Sequence, residues 1–347
     1  MSVHASTRPP ANSRVRDSGH AQRDMDMMRM MEGNMTDNAD EVGEGVLIAV
    51  GNQKGGVGKT TNTVHIAAAL GLRGRRCLII DLDPTAGATK HLGVPQESFV
   101  GTLELLTTDE SIESLVVTER MPEGVHLIAA RPQLNELDSL LSKFVDRTRI
   151  LERPIRQARQ LYDFIFLDTC PHPAATTTVA AYATAEWFLL SAFPHPLSLS
   201  GLSDAFKDIA DARHHRNPNL EVLGIVFGNV DRRATRLRAE LERVVNDAMP
   251  DRTFRSTISQ AVILPELSGR GKTVYQIPSC TKIPAAHQYM LLACEIEHRV
   301  QNRESFLKGE AGPVIVDWPP YDYDLALPGP KDRLEIAAPR ELEAMNG

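Results

Sequence analysis

The stretch that decides the fold of this chain is Asn52-Gln53-Lys54-Gly55-Gly56-Val57-Gly58-Lys59-Thr60-Thr61, directly behind the apolar run 46–50. Its glycines let the backbone turn N–H groups inward around phosphate oxygens, and a helix starting near Thr60 would add its positive N-terminal end. Lys59 can then reach the β- and γ-phosphates of a nucleotide, while the Thr60 hydroxyl can bind Mg²⁺. The stretch therefore predicts a phosphate-binding loop with an extra cation, Lys54. Two lysines and a preceding apolar strand disfavour the alternative of a chance glycine-rich turn.

The composition is that of a globular protein. Of the 347 residues, 42% are apolar and 24% are charged, and the formal net charge is −7. No run of about 18 apolar residues occurs, so we expect no membrane span, and the N-terminus lacks the apolar core of a signal peptide. The four cysteines show neither a CxxC pair nor zinc-site spacing and are expected to be reduced thiols. The negative charge argues against coating of nucleic acid by the whole surface but allows a local basic patch.

Apolar runs of strand length alternate with helical segments from residue 46 onward, which is the pattern of βαβ units. Strands are predicted at 46–50, 76–81, 125–129, 163–168, 186–192 and 221–228. Helices are predicted at 60–73, 133–142, 145–160, 174–184, 198–215, 233–247 and 284–302. Because runs such as 77–80 are apolar throughout, these strands should be buried on both faces. The sequence thus predicts an α/β fold, a mostly parallel twisted sheet with helices on both faces.

The two ends of the chain differ from this central region. Residues 1–44 have little to build a core from and are predicted to be a disordered extension. A methionine cluster at 25–31 could instead form a short amphipathic binding helix, and Met35 could be the true start. Residues 306–347 are rich in Pro and acidic residues, which predicts an irregular tail that either packs on the domain or docks a partner. The predicted domain is therefore 45–305.

Three aspartates end predicted strands. Asp81 closes the strand 76–81 and Asp83 follows it within an Asp-Leu-Asp-Pro motif, while Asp168 closes the strand 163–168. Parallel strands carry such residues to their carboxyl edge, where open α/β sheets bind ligands. We therefore expect the three carboxylates beside the glycine-rich loop. The structural alternatives are a strand-ending turn for the first two and a helix N-cap for the third.

These motifs resemble the deviant Walker A ATPases of the ParA/MinD superfamily, which are P-loop NTPases, over roughly residues 45–300. The resemblance implies ATP and Mg²⁺ as cofactors. Lys54 matches the signature lysine, which crosses an ATP-bound homodimer to touch the partner's phosphates. The Asn-Gln lead-in at 52–53 looks more like ParA-type partition ATPases than like MinD.

The resemblance also implies roles for the other motif residues. Asp81, Asp168 and Thr60 would hold Mg²⁺, and Asp83 would position the attacking water, so that Lys54, Lys59 and Asp83 carry catalysis. The residues expected to bind nucleotide are Gly55, Gly56, Val57, Gly58, Lys59, Thr60, Thr61 and Asn229. The last of these is a candidate for reading the adenine, with a plain turn as the equal alternative.

Some positions depart from the family's pattern. The family continues Gln-Gly-Asn after the Asp-x-Asp-Pro motif, whereas this chain has Thr85-Ala86-Gly87. Any role of the missing Gln and Asn in coupling two subunits is therefore in doubt. Cys170 and His172 follow the third aspartate, and we interpret them as packing and turn residues because no third group orients them as a nucleophile pair.

Basic residues downstream could contact DNA. The candidates are Arg232, Arg233, Arg236, Arg255, Arg270 and Lys272. They could form a surface that binds phosphates without reading sequence, as family members do in their ATP-bound dimers. The alternative is a solvated face whose charges pair with neighbouring acidic residues.

The sequence and the resemblance together predict a ParA-like ATPase. It would alternate between an ATP-bound dimer that binds DNA non-specifically and a released form, and so segregate plasmid or chromosomal DNA. A ParB-like partner or a cargo adaptor would stimulate hydrolysis, and the expected location is cytoplasmic and nucleoid-associated, without membrane. The alternative is positioning of a protein cargo on the nucleoid. A MinD-like membrane switch is disfavoured because the tail is acidic and interrupted by proline.

Overall fold

The computed structural model describes residues 44–96, 99–144, 146–195, 198–231, 235–278 and 280–310. Within them lies a seven-stranded sheet with the order β3-β4-β2-β5-β1-β6-β7. The strands are β1 Val46–Gly51, β2 Cys77–Asp81, β3 Val116–Val117, β4 Val125–Ile128, β5 Phe164–Asp168, β6 Trp187–Ala192 and β7 Glu221–Phe227. All the strands predicted from sequence are present.

The sheet is parallel except at one edge. The pairings that β1, β2, β4, β5, β6 and β7 make with one another are all parallel. The short strand β3 pairs antiparallel with β4. The predicted α/β class with a mostly parallel sheet is confirmed.

The helices connect and cover the strands. They are α1 Lys59–Leu72, α2 Gly87–His91, α3 Thr102–Thr107, α4 Ile112–Leu115, α5 Leu137–Leu140, α6 Glu152–Leu161, α7 Thr176–Thr184, α8 Ser198–His215, α9 Thr235–Ala248, α10 Ile263–Ser268, α11 Pro284–Gln301 and α12 Arg303–Leu307. Short 3₁₀ turns occupy Pro132–Glu136, Leu141–Lys143, Arg147–Arg149, Val274–Gln276 and Cys280–Lys282.

Two of the helix predictions were too long. The predicted helix 133–142 is a 3₁₀ turn, the single α-helical turn α5 and another 3₁₀ turn. The predicted helix 145–160 begins only at Glu152. Pro154 explains this start, because proline lacks the N–H that a helix interior needs and is tolerated only in the first turn.

The core lies on both faces of the sheet. Along β1, Leu47 and Ala49 join the apolar cluster on one face, which α6, α7 and α8 cover, and Ile48 and Val50 join the cluster on the other. Helices α1 and α11 cover that second face. Successive strand residues point to opposite faces, so a strand covered on both sides is apolar throughout.

The predicted extensions fall mostly outside the described residues, and the domain division stays a prediction. Phe306 in α12 is buried against Trp187, so packed structure continues slightly past residue 305. Among the helices that the structure describes, none is long and apolar enough to cross a bilayer.

Candidate functional site

The glycine-rich loop joins β1 to α1 and forms an open cradle. Gly56 and Gly58 have φ angles of 73° and 85°, a left-handed conformation that side chains with a Cβ rarely adopt. A Cβ on Gly55 or Gly56 would meet no atom within 4 Å. Gly56 and Gly58 are thus required by backbone conformation, and the space over Gly55 and Gly56 is open.

Lys59 holds its ammonium group inside this cradle. The side chain is buried, and its Nζ donates a hydrogen bond to the Lys54 carbonyl oxygen at 3.1 Å. Burial lowers the pKa of Lys59, while the nearby Asp168 carboxylate opposes that shift. The ammonium group is thus held by a carbonyl oxygen of its own loop.

Lys54 and its neighbour fasten the front of the loop to α8. The Lys54 N–H donates to Asn52 Oδ1 at 3.0 Å, and its side-chain carbons lie against Gly201, where an added Cβ would approach Lys54 Cδ to 3.2 Å. Gln53 Nε2 donates to Asp208 Oδ2 at 2.6 Å. The Lys54 side chain therefore lies along α8.

Asp81 and Asp168 meet at the carboxyl edge of the sheet, as predicted. They are direct partners in the β2–β5 register, and both are buried. The Thr60 hydroxyl donates to Asp168 Oδ2 at 2.8 Å, and the Thr63 hydroxyl lies 3.1 Å from Oδ1. A loop threonine and a strand-end carboxylate thus come together behind the cradle.

Asp81 is held by the start of α2. Its Oδ2 accepts hydrogen bonds from the Thr89 N–H and the Thr89 hydroxyl at 2.9 and 2.8 Å, and its Oδ1 accepts from the Asp83 N–H at 3.2 Å. These bonds leave Asp81 supporting the loop that carries Asp83. Nothing in the sequence around Thr89 had marked it as a partner of this carboxylate.

Burial disfavours the charged form of both carboxylates. Burial raises the pKa of Asp168, and the neighbouring charge of Asp81 raises it further. Burial likewise raises the pKa of Asp81, against the hydrogen bonds from Thr89. A divalent cation beside Asp168 would favour its ionised form.

The donor set fits Mg²⁺ bound together with phosphates. The described residues contain no cluster of three or more His, Cys, Asp or Glu side chains that could hold a metal alone. Mg²⁺ typically uses one or two carboxylates plus substrate phosphates and waters. Thr60 and Asp168, with Asp81 beside them, offer such an incomplete oxygen set.

Asp83 faces a cavity of about 460 Å³ at the same edge of the sheet. Its Oδ1 accepts a hydrogen bond from the Thr85 N–H at 2.8 Å. Cys170 and His172 line the same cavity, and the buried Cys170 thiol contacts the Thr178 hydroxyl at 3.2 Å. Asp83 thus borders an open cavity, and its role in positioning the attacking water stays a prediction.

Comparisons with known proteins agree with this geometry. A family model described as an AAA domain matches residues 45–222. The chromosome-partitioning ATPase Soj of Thermus thermophilus is 34% identical over 73% of this chain and 96% of its own length. The chromosome partitioning protein ParA of Myxococcus xanthus is 30% identical over 74% of this chain and 89% of its own length. The chain belongs to the ParA/MinD family of P-loop ATPases.

The fold of this ParA/MinD chain is shared with solved structures. Cobyrinic acid a,c-diamide synthase from Mycobacterium smegmatis, solved with bound ADP and magnesium, is 25% identical with a TM-score of 0.61. The match covers 80% of this chain and all of that one. ParA/MinD proteins are nucleotide-hydrolysing.

Asn229 is the family-based candidate for contact with the base. It lies just after β7, is exposed, and has a φ of 50°, a conformation that Asn adopts more readily than most residues. The adjacent Val230 N–H donates to the Ile258 carbonyl at 3.0 Å, so the turn is tied to the segment after it. The geometry suits a turn residue, and base contact stays a prediction.

Only some of the basic residues predicted to contact DNA belong to the described part of the chain. Arg232 and Arg233 lie outside the described residues, as does the side chain of Arg236. Arg255 is exposed next to Glu295, which accepts its backbone N–H at 3.2 Å.

The other two candidates lie together elsewhere. Arg270 and Lys272 line a groove of about 580 Å³ beside β3. Arg120, which was not among the candidates from sequence, also lines this groove. All three are exposed residues, and the exposed Glu119 and the half-buried Phe99 also line the groove.

Proposed function

We propose that this ParA/MinD protein binds ATP with Mg²⁺ in the loop 52–61 and hydrolyses it to ADP and phosphate. It uses the cycle to segregate plasmid or chromosomal DNA. The observation that carries the proposal is the contact of the Thr60 hydroxyl with Asp168, next to Asp81 and behind a glycine cradle that holds Lys59.

Each residue has a defined part in hydrolysis. Backbone N–H groups of residues 55–61 and the Lys59 ammonium hold the phosphates, and Lys59 stabilises charge that develops on the γ-phosphate. Thr60 and Asp168 hold Mg²⁺, which neutralises phosphate charge when it is bound. Asp83 orients the water for in-line attack from the adjoining cavity. Positioning and charge stabilisation are the main sources of rate in such reactions.

Lys54 acts on the nucleotide of a second subunit. Its side chain lies along Gly201 of α8, at one face of the domain, while Lys59 already occupies the cradle of its own loop. ATP binding therefore brings two copies together face to face, and each active site is completed by the other copy. Hydrolysis is thereby linked to dimer formation.

Mixing two inactive variants tests this arrangement. Lys54→Ala and Asp83→Ala should each be inactive alone. In a mixed dimer, the Lys54→Ala subunit has its own Asp83 and receives Lys54 from its partner, so one of the two sites is complete. An equimolar mixture should recover about a quarter of wild-type ATPase activity, since half of the dimers are mixed and each has one complete site. If Lys54 acts on its own nucleotide, no mixed site is complete and the mixture stays inactive.

The ATP-bound dimer is proposed to bind DNA without sequence specificity. The groove that Arg120, Arg270 and Lys272 line can contact phosphates without reading bases. Gel-shift measurements with ATP, with ADP and without nucleotide should show salt-sensitive, sequence-independent binding with ATP alone. Equal or absent binding in all three states would contradict a DNA-bound motor and leave the ATPase standing. A ParB-like partner that stimulates hydrolysis, and a location on the nucleoid, complete the proposal.

A further inference from the structure

His65 joins the phosphate-binding helix to a distant segment of the chain. It lies in α1, one turn after Thr61, and is fully buried. Its Nδ1 lies 2.9 Å from the Thr61 carbonyl oxygen, and its Nε2 accepts a hydrogen bond from the Val274 N–H at 3.2 Å. One imidazole therefore contacts both the nucleotide loop's helix and the 3₁₀ turn Val274–Gln276.

These two contacts define the tautomer of His65. Because the Val274 N–H is a donor, Nε2 must carry a lone pair, and Nδ1 must therefore carry the proton that it donates to Thr61. Burial, and secondarily the neighbouring His91, lower the pKa of His65 to about 3. The ring is thus neutral around pH 7 and acts as a fixed bridge with one donor and one acceptor.

A second side chain reinforces the bridge. The Tyr289 ring of α11 stacks on His65 with centroids 4.8 Å apart, and its hydroxyl donates to Asn62 Oδ1 at 2.9 Å. Asn62 Nδ2 in turn donates to the Ser191 hydroxyl at 3.0 Å. Asn62, in the first turn of α1, is therefore held by both α11 and β6.

The other end of the distant segment also leads back to the active site. Gly271 packs on Gly93, so closely that a Cβ on Gly271 would come within 2.6 Å of the Gly93 Cα. Gly93 follows α2, the helix that contains Thr89, the partner of Asp81. Lys272 therefore lies between two fixed points, Gly271 and Val274, and each is connected to a residue of the nucleotide site.

We propose that His65 is a positioning residue that couples the nucleotide loop to the segment 271–276, so that bound nucleotide stabilises the segment that carries Lys272. This inference rests on the proposed function, because it describes how nucleotide occupancy reaches part of the proposed DNA surface. Filling of the cradle fixes the first turn of α1 and the Thr61 carbonyl. The fixed His65 ring then holds the Val274 N–H, and the segment opens less often.

Amide hydrogen exchange in the full chain tests the coupling. In the wild type, a non-hydrolysable ATP analogue with Mg²⁺ should slow exchange within 271–276 by about fivefold, the effect of one hydrogen bond of ordinary strength on local opening. His65→Phe keeps a stacked ring but loses both hydrogen bonds, and it should lose most of this nucleotide-dependent slowing. His65→Gln should restore it, since its amide can both donate to Thr61 and accept from Val274.

Two further measurements separate coupling from general destabilisation. Tyr289→Phe removes only the hydroxyl contact with Asn62 and should keep the nucleotide-dependent slowing at 271–276, even if its thermal midpoint falls as far as that of His65→Phe. Binding of a fluorescent ATP analogue should persist in all three variants, with kcat affected more than KM in His65→Phe.

Full nucleotide-dependent slowing in a folded His65→Phe variant, or none in a wild type that binds the analogue, would overturn the coupling. Should His65→Phe fail to fold, His65→Gln decides: loss of the slowing there contradicts the bridge. If the slowing depends on His65 but no variant or wild type binds DNA, the coupling stands and the DNA proposal fails.

Discussion

The ammonium group of Lys59 is hydrogen-bonded to the glycine-rich loop that precedes it. This group donates a hydrogen bond to the Lys54 carbonyl oxygen. We expect bound phosphates to replace that oxygen as the hydrogen-bond acceptor. Lys59→Ala should weaken ATP binding by about 100-fold or more, since two charge-assisted hydrogen bonds to phosphate together contribute about 3 kcal/mol. Titration with a fluorescent ATP analogue measures this. Lys90→Ala is the matched control, because Lys90 donates to the Thr85 carbonyl and is exposed; equal losses in both variants would contradict the assignment.

Asp83 should affect turnover and leave nucleotide binding intact. Asp83→Ala is expected to bind ATP normally and to hydrolyse it at least about 100-fold more slowly, the usual contribution of a group that orients or activates a nucleophile. Single-turnover hydrolysis and equilibrium binding separate the two effects. Asp138→Ala, which removes another carboxylate from the same cavity, should hydrolyse ATP at nearly the normal rate. Normal hydrolysis by Asp83→Ala would show that another group positions the water.

Single residues of the site were predictable from sequence where a strand end marks them. Asp81 and Asp168 follow apolar runs, so their meeting at one edge follows from parallel pairing. Thr89 and His65 could not be found that way. Their roles come from hydrogen bonds to Asp81 and to Val274, which depend on how α2 and the turn Val274–Gln276 pack.

The backbones of Gly93 and Gly271 approach each other closely, so a substitution at Gly271 tests how the two segments pack. Gly271 has a φ of 66° and lies against Gly93, so Gly271→Ala adds both backbone strain and a clash that cannot relax through a side chain. We expect it to lower the free energy of unfolding by about 3 kcal/mol in urea denaturation. Gly269→Ala should change it by less than about 0.5 kcal/mol, because Gly269 is helical and a Cβ there meets its nearest atom at 3.5 Å. Similar losses in both variants would contradict the role of the Gly93 contact.

The strands that are buried on both faces of the sheet were predicted best. Strands such as β5 are continuous apolar runs, and their bounds agree with the structure to within a residue or two. The two-residue strand β3 is too short to show any alternation, and its antiparallel pairing with β4 is decided by tertiary contacts. The helix prediction failed around 133–150 because periodicity does not distinguish an α-helix from successive 3₁₀ turns.

Charge distribution over the whole molecule governs the proposed DNA contact. The chain carries a net charge of −7, so a basic groove must work against the average field. Arg120→Glu should weaken ATP-dependent DNA binding and reduce the slope of log affinity against log salt by about one, the value expected for each lost phosphate contact. Arg149→Glu makes the same change of net charge at an exposed residue that pairs with Glu152. An equal effect of both reversals would point to net charge and away from the groove.

The basic residues of the groove come from separate segments of the chain. Arg120 lies between β3 and β4, whereas Arg270 and Lys272 follow α10, and only the fold brings them together. The same fold leaves Arg255 beside Glu295, apart from that group. A count of basic residues predicted a basic patch but could not tell which residues share one surface.

The β2–β5 register has a consequence for the order of events in folding. Asp81 and Asp168 are far apart in the chain, and they become neighbours only when two non-adjacent segments have paired in one particular alignment. A slip of one residue between the two strands would turn the two carboxylates to opposite faces of the sheet. Non-local pairings of this kind form late and slowly. After dilution from denaturant, helical signal should therefore return well before the capacity to hydrolyse ATP does.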